Sequence, residues 1–176
     1  MGRLTLYLGG AKSGKTRLAL ARAQTCPPPR LYLATGQALD EEMSGRIKRH
    51  QAERGADWRT LEAPLTPDQT LAGLAGDQVL LLDCLTLWLN NLMAADFDDD
   101  RIRGRTNELL RAIEAYAGPV IAVSNEVGGG IVPSNALARR FRDMAGEINQ
   151  RFAAQADLVI LAAAGLELTL KARTPN

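Results

Sequence analysis

Near the start of the chain, Gly9-Gly10-Ala11-Lys12-Ser13-Gly14-Lys15-Thr16 has the residue types and spacing of a phosphate cradle. A phosphate chain needs several backbone N–H groups aimed at it, and glycines let the main chain curl that closely. Lys15 is placed to set its ammonium on the terminal phosphates from an exposed loop mouth, and the Thr16 hydroxyl to ligate magnesium. The context that confirms such a loop is a strand before it and a helix after it. Leu4-Thr5-Leu6-Tyr7-Leu8 reads as a buried strand, and Lys15 to about Ala23 as a helix halted by Pro27-Pro28-Pro29.

A second group of candidates is weaker taken alone. Asp83 follows Val79-Leu80-Leu81-Leu82 at a strand end, where P-loop folds carry a carboxylate that orients magnesium; apart from the glycine loop it would read as a helix cap. His50 is the only histidine. On a helix running from Asp40 to Arg54 it shares a face with Met43, Ile47 and Arg54, and Arg46 lies one turn before it. Neighbouring cations disfavour imidazolium, and a neutral imidazole has a lone pair with which to attack phosphorus. Spacing alone favours the plainer reading, a solvated histidine on a basic helix. Glu62 closes a weak strand and by itself reads as solvated. Ser124-Asn125-Glu126 ends another strand, where ligands meet open α/β sheets, and simple turn chemistry is an equal alternative. Arg139, Arg140 and Arg142 read as a solvated helix face.

The elements that position these residues alternate. After the first strand and helix come a strand at Leu31–Ala34, a helix from Asp40 to Arg54 ended by Gly55, and a short weak strand at Trp58–Glu62. Thr66-Pro67-Asp68 reads as a cap with proline at the first helical position. A strand at Val79–Asp83 leads into a helix from Leu85 to Met93. Asp96 to Asp100 reads as an acidic, solvated connection rather than a metal site, and Arg101 to Ala115 as a helix. A strand at Val120–Val123, a loop with Gly128-Gly129-Gly130 and a long helix from Asn135 to Ala154 follow. The apolar face of that helix runs Leu137, Phe141, Met144, Ile148, Phe152. Leu158–Leu161 is a further strand, and Leu166 to Leu170 another candidate. Continuous apolar strands alternating with helices predict an α/β fold: one P-loop NTPase domain of RecA-like type over 1–176, with a largely parallel central sheet covered on both faces.

Composition narrows the function classes. A net charge of +1, with 5% aromatic residues, gives no basic or stacking surface for nucleic acid. No apolar run is long enough to span a bilayer, and no signal-peptide pattern is present, which predicts a cytoplasmic protein. Cys26 and Cys84 sit in unlike contexts, so neither a disulfide framework nor a zinc site is expected. A P-loop kinase lacking guanylyl transfer and a RecA-like nucleic-acid ATPase are the competing readings; the first has no need of His50, and the charge argues against the second.

Taken together, these segments resemble the bifunctional adenosylcobinamide kinase / adenosylcobinamide-phosphate guanylyltransferase family of cobalamin biosynthesis. The resemblance runs nearly end to end. It rests on Gly9–Thr16, Tyr32-Leu33-Ala34-Thr35, Asp40–Met43 with Arg46-Ile47 and His50, Arg54, Trp58-Arg59-Thr60 with Glu62, and Leu82–Thr86. Its most specific part is Ser124–Gly128, Gly130–Pro133 and Arg139–Gly146 with Asn149-Gln150. It implies phosphorylation of adenosylcobinamide by ATP or GTP, then transfer of GMP from GTP to adenosylcobinamide phosphate through a GMP-histidine, here His50. It also implies nucleotide contacts at Thr35, Gly36 and Gln37, at Gln51, Ala52, Glu53 and Arg54, and at Glu62 and Asp83, with magnesium held by Thr16 and Asp83. Lys12 stands where many members carry Arg, and Gly36 and Gln37 match the family only loosely. A homo-oligomer, a trimer in particular, is implied as well.

Overall fold

The computed structural model describes residues 4–37 and 55–173. The expected helix from Asp40 to Arg54, with His50, Gln51, Ala52, Glu53 and Arg54, lies outside them. Gly55, placed by sequence just after that helix, has φ +74°, a left-handed value that suits glycine.

The sheet begins with β1 (Leu4–Gly9), buried at every position as a strand covered on both faces must be. The elements that follow are α1 (Lys15–Ala23), β2 (Arg30–Ala34), β3 (Trp58–Glu62), α2 (Pro67–Ala72), β4 (Leu80–Asp83) and α3 (Leu85–Ala94). Then come α4 (Asp99–Ala115), β5 (Val120–Asn125), α5 (Ala136–Gln155), β6 (Leu158–Ala163) and β7 (Leu166–Ala172). The strand order is β3-β2-β4-β5-β1-β6-β7, and every neighbouring pair is parallel except β6–β7.

Period-two alternation divides the apolar run of β4 between two cores. Leu81 faces α1 with Tyr7, Tyr32, Ile121 and Val123. Leu80 and Leu82 face the opposite layer, where Trp88, Leu89, Ile102, Leu109, Ile148 and Phe152 come from α3, α4 and α5. Helices therefore cover both faces, as expected. Each fully buried leucine of this kind stabilises the fold by about 2 kcal/mol relative to an exposed one.

Several boundaries differ from the sequence reading. The acidic connection is partly helix: Asp98 caps α4, its carboxylate accepting from the Arg101 N–H at 2.8 Å, and Asp99 and Asp100 occupy the first turn. Carboxylates there complement the positive helix end, and such a cap is worth about 1 kcal/mol. Asp99 and Asp100 are also paired, with Arg140 and Arg103 respectively. Pro67 does open α2, but Thr66 makes no side-chain cap bond. Leu137 is 62% exposed and does not join the apolar face of α5, because the core begins only at Met144, with Phe141 packed on its edge. The last candidate strand is real and longer, and it pairs antiparallel through a two-residue turn, Ala164-Gly165, both at positive φ.

Candidate active site

The glycine loop joins the end of β1 to the start of α1, as the sequence requires. Its tight course explains its residue types. A Cβ on Gly9 would lie 2.5 Å from Ser13 Oγ and 2.6 Å from the Ala162 carbonyl, so no side chain fits. Gly14 has φ +91° and Lys12 φ 56°, two left-handed residues that fold the loop over the helix end. The first turn of α1 carries no acidic side chain, leaving its positive end open to an anion. Gly10, Ala11 and Lys12 form the exposed rim, and Thr16 is half-buried at the first turn.

Lys15 departs from the expectation of an exposed mouth. It is 8% exposed, and its ammonium donates to the Gly10 carbonyl at 3.1 Å, folded across the loop it serves. The main chain curls closely enough that the loop's own carbonyl receives the cation.

A support that sequence reasoning missed lies behind the cradle. The β6–β7 turn packs on it: Gly165 N–H donates to the Ser13 carbonyl at 2.9 Å, and Arg17 donates to the Gly165 carbonyl at 3.2 Å. A Cβ on Gly14 would sit 3.1 Å from the Gly165 Cα. Ala-Gly between two apolar runs is the only local sign of this turn, and nothing in it points to the glycine loop more than 140 residues earlier.

Beside the cradle stand the carboxyl ends of β2, β4 and β5. Ala34, Asp83 and Val123 lie in register, and Gly9 lies opposite Asn125. Asp83 is half-buried on the α1 face of the sheet, and its Oδ2 accepts from the Tyr32 hydroxyl at 2.5 Å. Thr35 is fully buried. Its hydroxyl donates to the Cys84 carbonyl and accepts from the Cys84 N–H, both at 2.8 Å. The Asn91 amide holds the Thr35 carbonyl at 2.7 Å. In this structure the Thr35 side chain fixes the turn that follows Asp83. Gly36 is half-buried near Leu87, Gln37 is exposed, and Glu62 is exposed at the end of β3, beside Ala34 of β2. Cys84 is buried, and burial, reinforced by Asp83, pushes its thiol up to about 11. Its sulfur serves as the α3 cap, accepting from Leu87 N–H at 3.5 Å. The arginines of α5 that the sequence singled out all have partners within the fold: Arg139 with the Pro133 and Ser134 carbonyls, Arg140 with Asp99 in the first turn of α4, and Arg142 with Asp143.

The arrangement gathers an anion cradle, a cation, a metal-competent carboxylate and the Asn125 turn at one sheet edge. That is the equipment of a nucleotide-dependent phosphoryl transferase. Residues 5–170 match the family described as cobinamide kinase / cobinamide phosphate guanyltransferase. The chain belongs to this family. Membership makes it an enzyme of the bifunctional kinase and guanylyltransferase type. It is 46% identical over 167 residues to the bifunctional adenosylcobalamin biosynthesis protein CobP of Pseudomonas aeruginosa, covering 94% of this chain and 96% of that one. It is 41% identical over 181 residues to the corresponding protein, CobU, of Salmonella typhimurium, covering 96% and 99%. Among solved structures, the RadB recombinase superposes with a TM-score of 0.52 at 14% identity, over 90% of this chain and 73% of that one. That likeness supports the RecA-like P-loop fold, while the family assignment rests on the sequence matches.

Proposed function

We propose that the chain phosphorylates adenosylcobinamide with a nucleoside triphosphate and then transfers GMP from GTP to adenosylcobinamide phosphate, giving adenosylcobinamide-GDP. The observation that carries this reading is the complete glycine cradle, with Asp83 standing beside it, in a chain matched to the family from residue 5 to 170. In the first step the substrate hydroxyl attacks the γ-phosphorus, the bond to the β–γ bridging oxygen breaks, and the nucleoside diphosphate leaves. Lys15 and the loop N–H groups hold the charge that spreads over the transferred group. In the second step a neutral His50 attacks the α-phosphorus of GTP and pyrophosphate departs. The phosphate of the corrinoid then displaces the histidine. Gly36, Gln37, Gln51, Ala52, Glu53, Arg54 and Glu62 serve as nucleotide contacts. Thr35, expected among them, is fully buried with its hydroxyl held by Cys84, its N–H by the Asp83 carbonyl and its carbonyl by Asn91, so it serves the nucleotide by shaping the turn that carries Gly36 and Gln37.

Magnesium fits the donor set present. Such a site needs only one or two protein oxygens besides phosphate and water, and Thr16 and Asp83 supply them. When bound, the ion neutralises phosphate charge as the phosphoryl group moves. The Tyr32 hydroxyl on Oδ2 orients the carboxylate and leaves its other oxygen for this task. Asp83→Asn is therefore expected to lower kcat about 100-fold with nucleotide affinity little changed. An unchanged rate at saturating nucleotide and limiting magnesium would remove Asp83 from the role.

The test of the reading as a whole is direct. Adenosylcobinamide incubated with ATP, GTP and magnesium should gain first a phosphate and then a guanylyl group, followed by mass. A corrinoid that stays unchanged overturns the proposal.

The same reading places the enzyme in the cytoplasm, without a nucleic-acid partner; no helix among the described residues is long and apolar enough to cross a membrane. It also takes the protein as a homo-oligomer, a trimer, with active sites near subunit boundaries. Leu166, Leu168 and Leu170 line one face of the edge strand β7 and are each more than half exposed. Ile131, Val132 and Leu137 are exposed in and after the loop following β5. Apolar surface of this kind is ordinarily covered by a partner. A corrinoid is also large for the concave surface of one small subunit. Sedimentation at micromolar concentration should give a trimeric mass, and a monomer there contradicts this.

A further inference from the structure

The last residue of β5 is held with more care than the end of a strand requires. Asn125 lies beside Gly9 in register, and the following N–H, from Glu126, donates to the Gly9 carbonyl at 3.1 Å. On the other side β4 has already ended at Asp83, so the Asn125 backbone has no strand to pair with. Two side chains from different helices replace it. Thr86, in the first turn of α3, accepts from the Asn125 N–H at 2.8 Å. Asn149, on α5, donates to the Asn125 carbonyl at 3.1 Å. Both are buried.

The clamp carries a cost. Asn149 Oδ1 is buried with no hydrogen-bond partner among the described residues. An unsatisfied buried acceptor is destabilising, and an apolar residue would fill the same space without it. Asn149 thus gives up stability, and in return fixes one peptide group at the edge of the cradle.

That peptide group sets the direction of a side chain. Alternation along β5 puts Asn125 on the same face as Ile121 and Val123, which pack with α1. Asp83, two residues beyond Leu81 on β4, is on this face also. The Asn125 amide is half-buried and makes no side-chain hydrogen bond among the described residues. It therefore stands between the metal-competent carboxylate and the glycine loop, on the face where α1 presents its N-terminus, with donors unspent.

We propose that the Asn125 side-chain amide donates to the terminal phosphate of the triphosphate held in the cradle, and that Thr86 and Asn149 are its positioning residues. The proposal rests on the kinase reading above and deepens it: Asn125 distinguishes a triphosphate from a diphosphate. Preorganised donors of this kind are held in place before the nucleotide arrives, so no reorganisation is needed as the phosphoryl group moves.

The test titrates wild type, Asn125→Ala, Asn125→Asp, Thr86→Val and Thr86→Ser with nucleoside diphosphate and with a non-hydrolysable triphosphate analogue, in adenosine and guanosine forms with magnesium. Asn125→Ala should weaken analogue binding about 10- to 100-fold and diphosphate binding less than about twofold, the loss of a hydrogen bond to a charged group. Asn125→Asp should weaken the analogue further, because it sets a carboxylate against phosphate. Thr86→Val should show a smaller loss with the same selectivity, restored in Thr86→Ser. Turnover should fall with these losses while the KM for corrinoid holds. Equal losses for both nucleotides, or none for either, overturn the proposal, as does a wild type that binds the two alike. A wild type that discriminates through Asn125 yet leaves adenosylcobinamide unphosphorylated overturns the substrate reading and leaves the proposal standing.

Discussion

Lys15→Ala is expected to lower phosphorylation of adenosylcobinamide by about 100- to 1,000-fold while leaving the protein folded. The size of the effect follows from where charge moves. The transferred phosphoryl group spreads negative charge over its oxygens, and a fixed cation in a site of low polarity stabilises that charge far more than water would. Lys15 is 8% exposed and folded against the Gly10 carbonyl, so its ammonium is held at the cradle before nucleotide binds. Burial makes the stability side of the forecast less obvious than for a surface lysine. Gly10 is itself exposed, so water can satisfy its carbonyl when the ammonium is gone. Lys15→Met keeps most of the stem volume and should match Lys15→Ala in rate but not in packing. Circular dichroism melts read beside the kinase assay separate the two effects. Full phosphorylation by either variant would remove Lys15 from the chemistry, and loss of the folded transition in both would make its role structural.

The fold was legible in the sequence where a single period dominated. Val79 to Asp83 reads as a strand, and β4 at Leu80–Asp83, alternating between the α1 core and the opposite core, bears this out to within one residue. The glycine loop was legible because sterics leave little choice at Gly9 and Gly14. What stayed hidden depends on tertiary pairing. Leu137 continues the helical period of α5 but projects past the end of the core, and no local pattern shows where a core stops. The prop from Gly165 to Ser13 joins residues that only the folded sheet makes neighbours. The burial of Lys15 follows from the curl of its own loop, which a motif names without stating its depth. Thr86 and Asn149 carry no chemical signature alone; only their shared grip on Asn125 distinguishes them from ordinary helix residues. The strand-end place of Ser124-Asn125-Glu126 suits a ligand site and a plain turn equally, and the clamp around Asn125 turns that place into a constraint on geometry.

His50→Ala is expected to abolish covalent attachment of GMP to the protein and, with it, guanylyl transfer, while phosphorylation of adenosylcobinamide continues. The forecast follows from the chemistry of the two steps. Phosphoryl transfer draws on the cradle between β1 and α1, its cation at the start of α1, the carboxylate at the end of β4 and the Asn125 amide at the end of β5, none of which is His50. Guanylyl transfer through the enzyme needs a nucleophile with a free lone pair, and His50 is the only histidine in the chain. Arg46 and Arg54 stand one turn to either side on the helix that the sequence predicts, and their charge would draw the triphosphate towards His50. A phosphoramidate is labile to acid and stable to base, so the adduct carries its own signature. α-Labelled GTP should leave label on the denatured protein, and acid should release it. γ-Labelled GTP should leave none, because that phosphate departs in pyrophosphate. In His50→Ala the α-label should be absent, and corrinoid should accumulate at the phosphate stage. Acid-labile GMP persisting on His50→Ala would show the nucleophile to be another residue, since no second histidine exists to take its place. Loss of the kinase step along with the adduct would instead show that the two activities share His50.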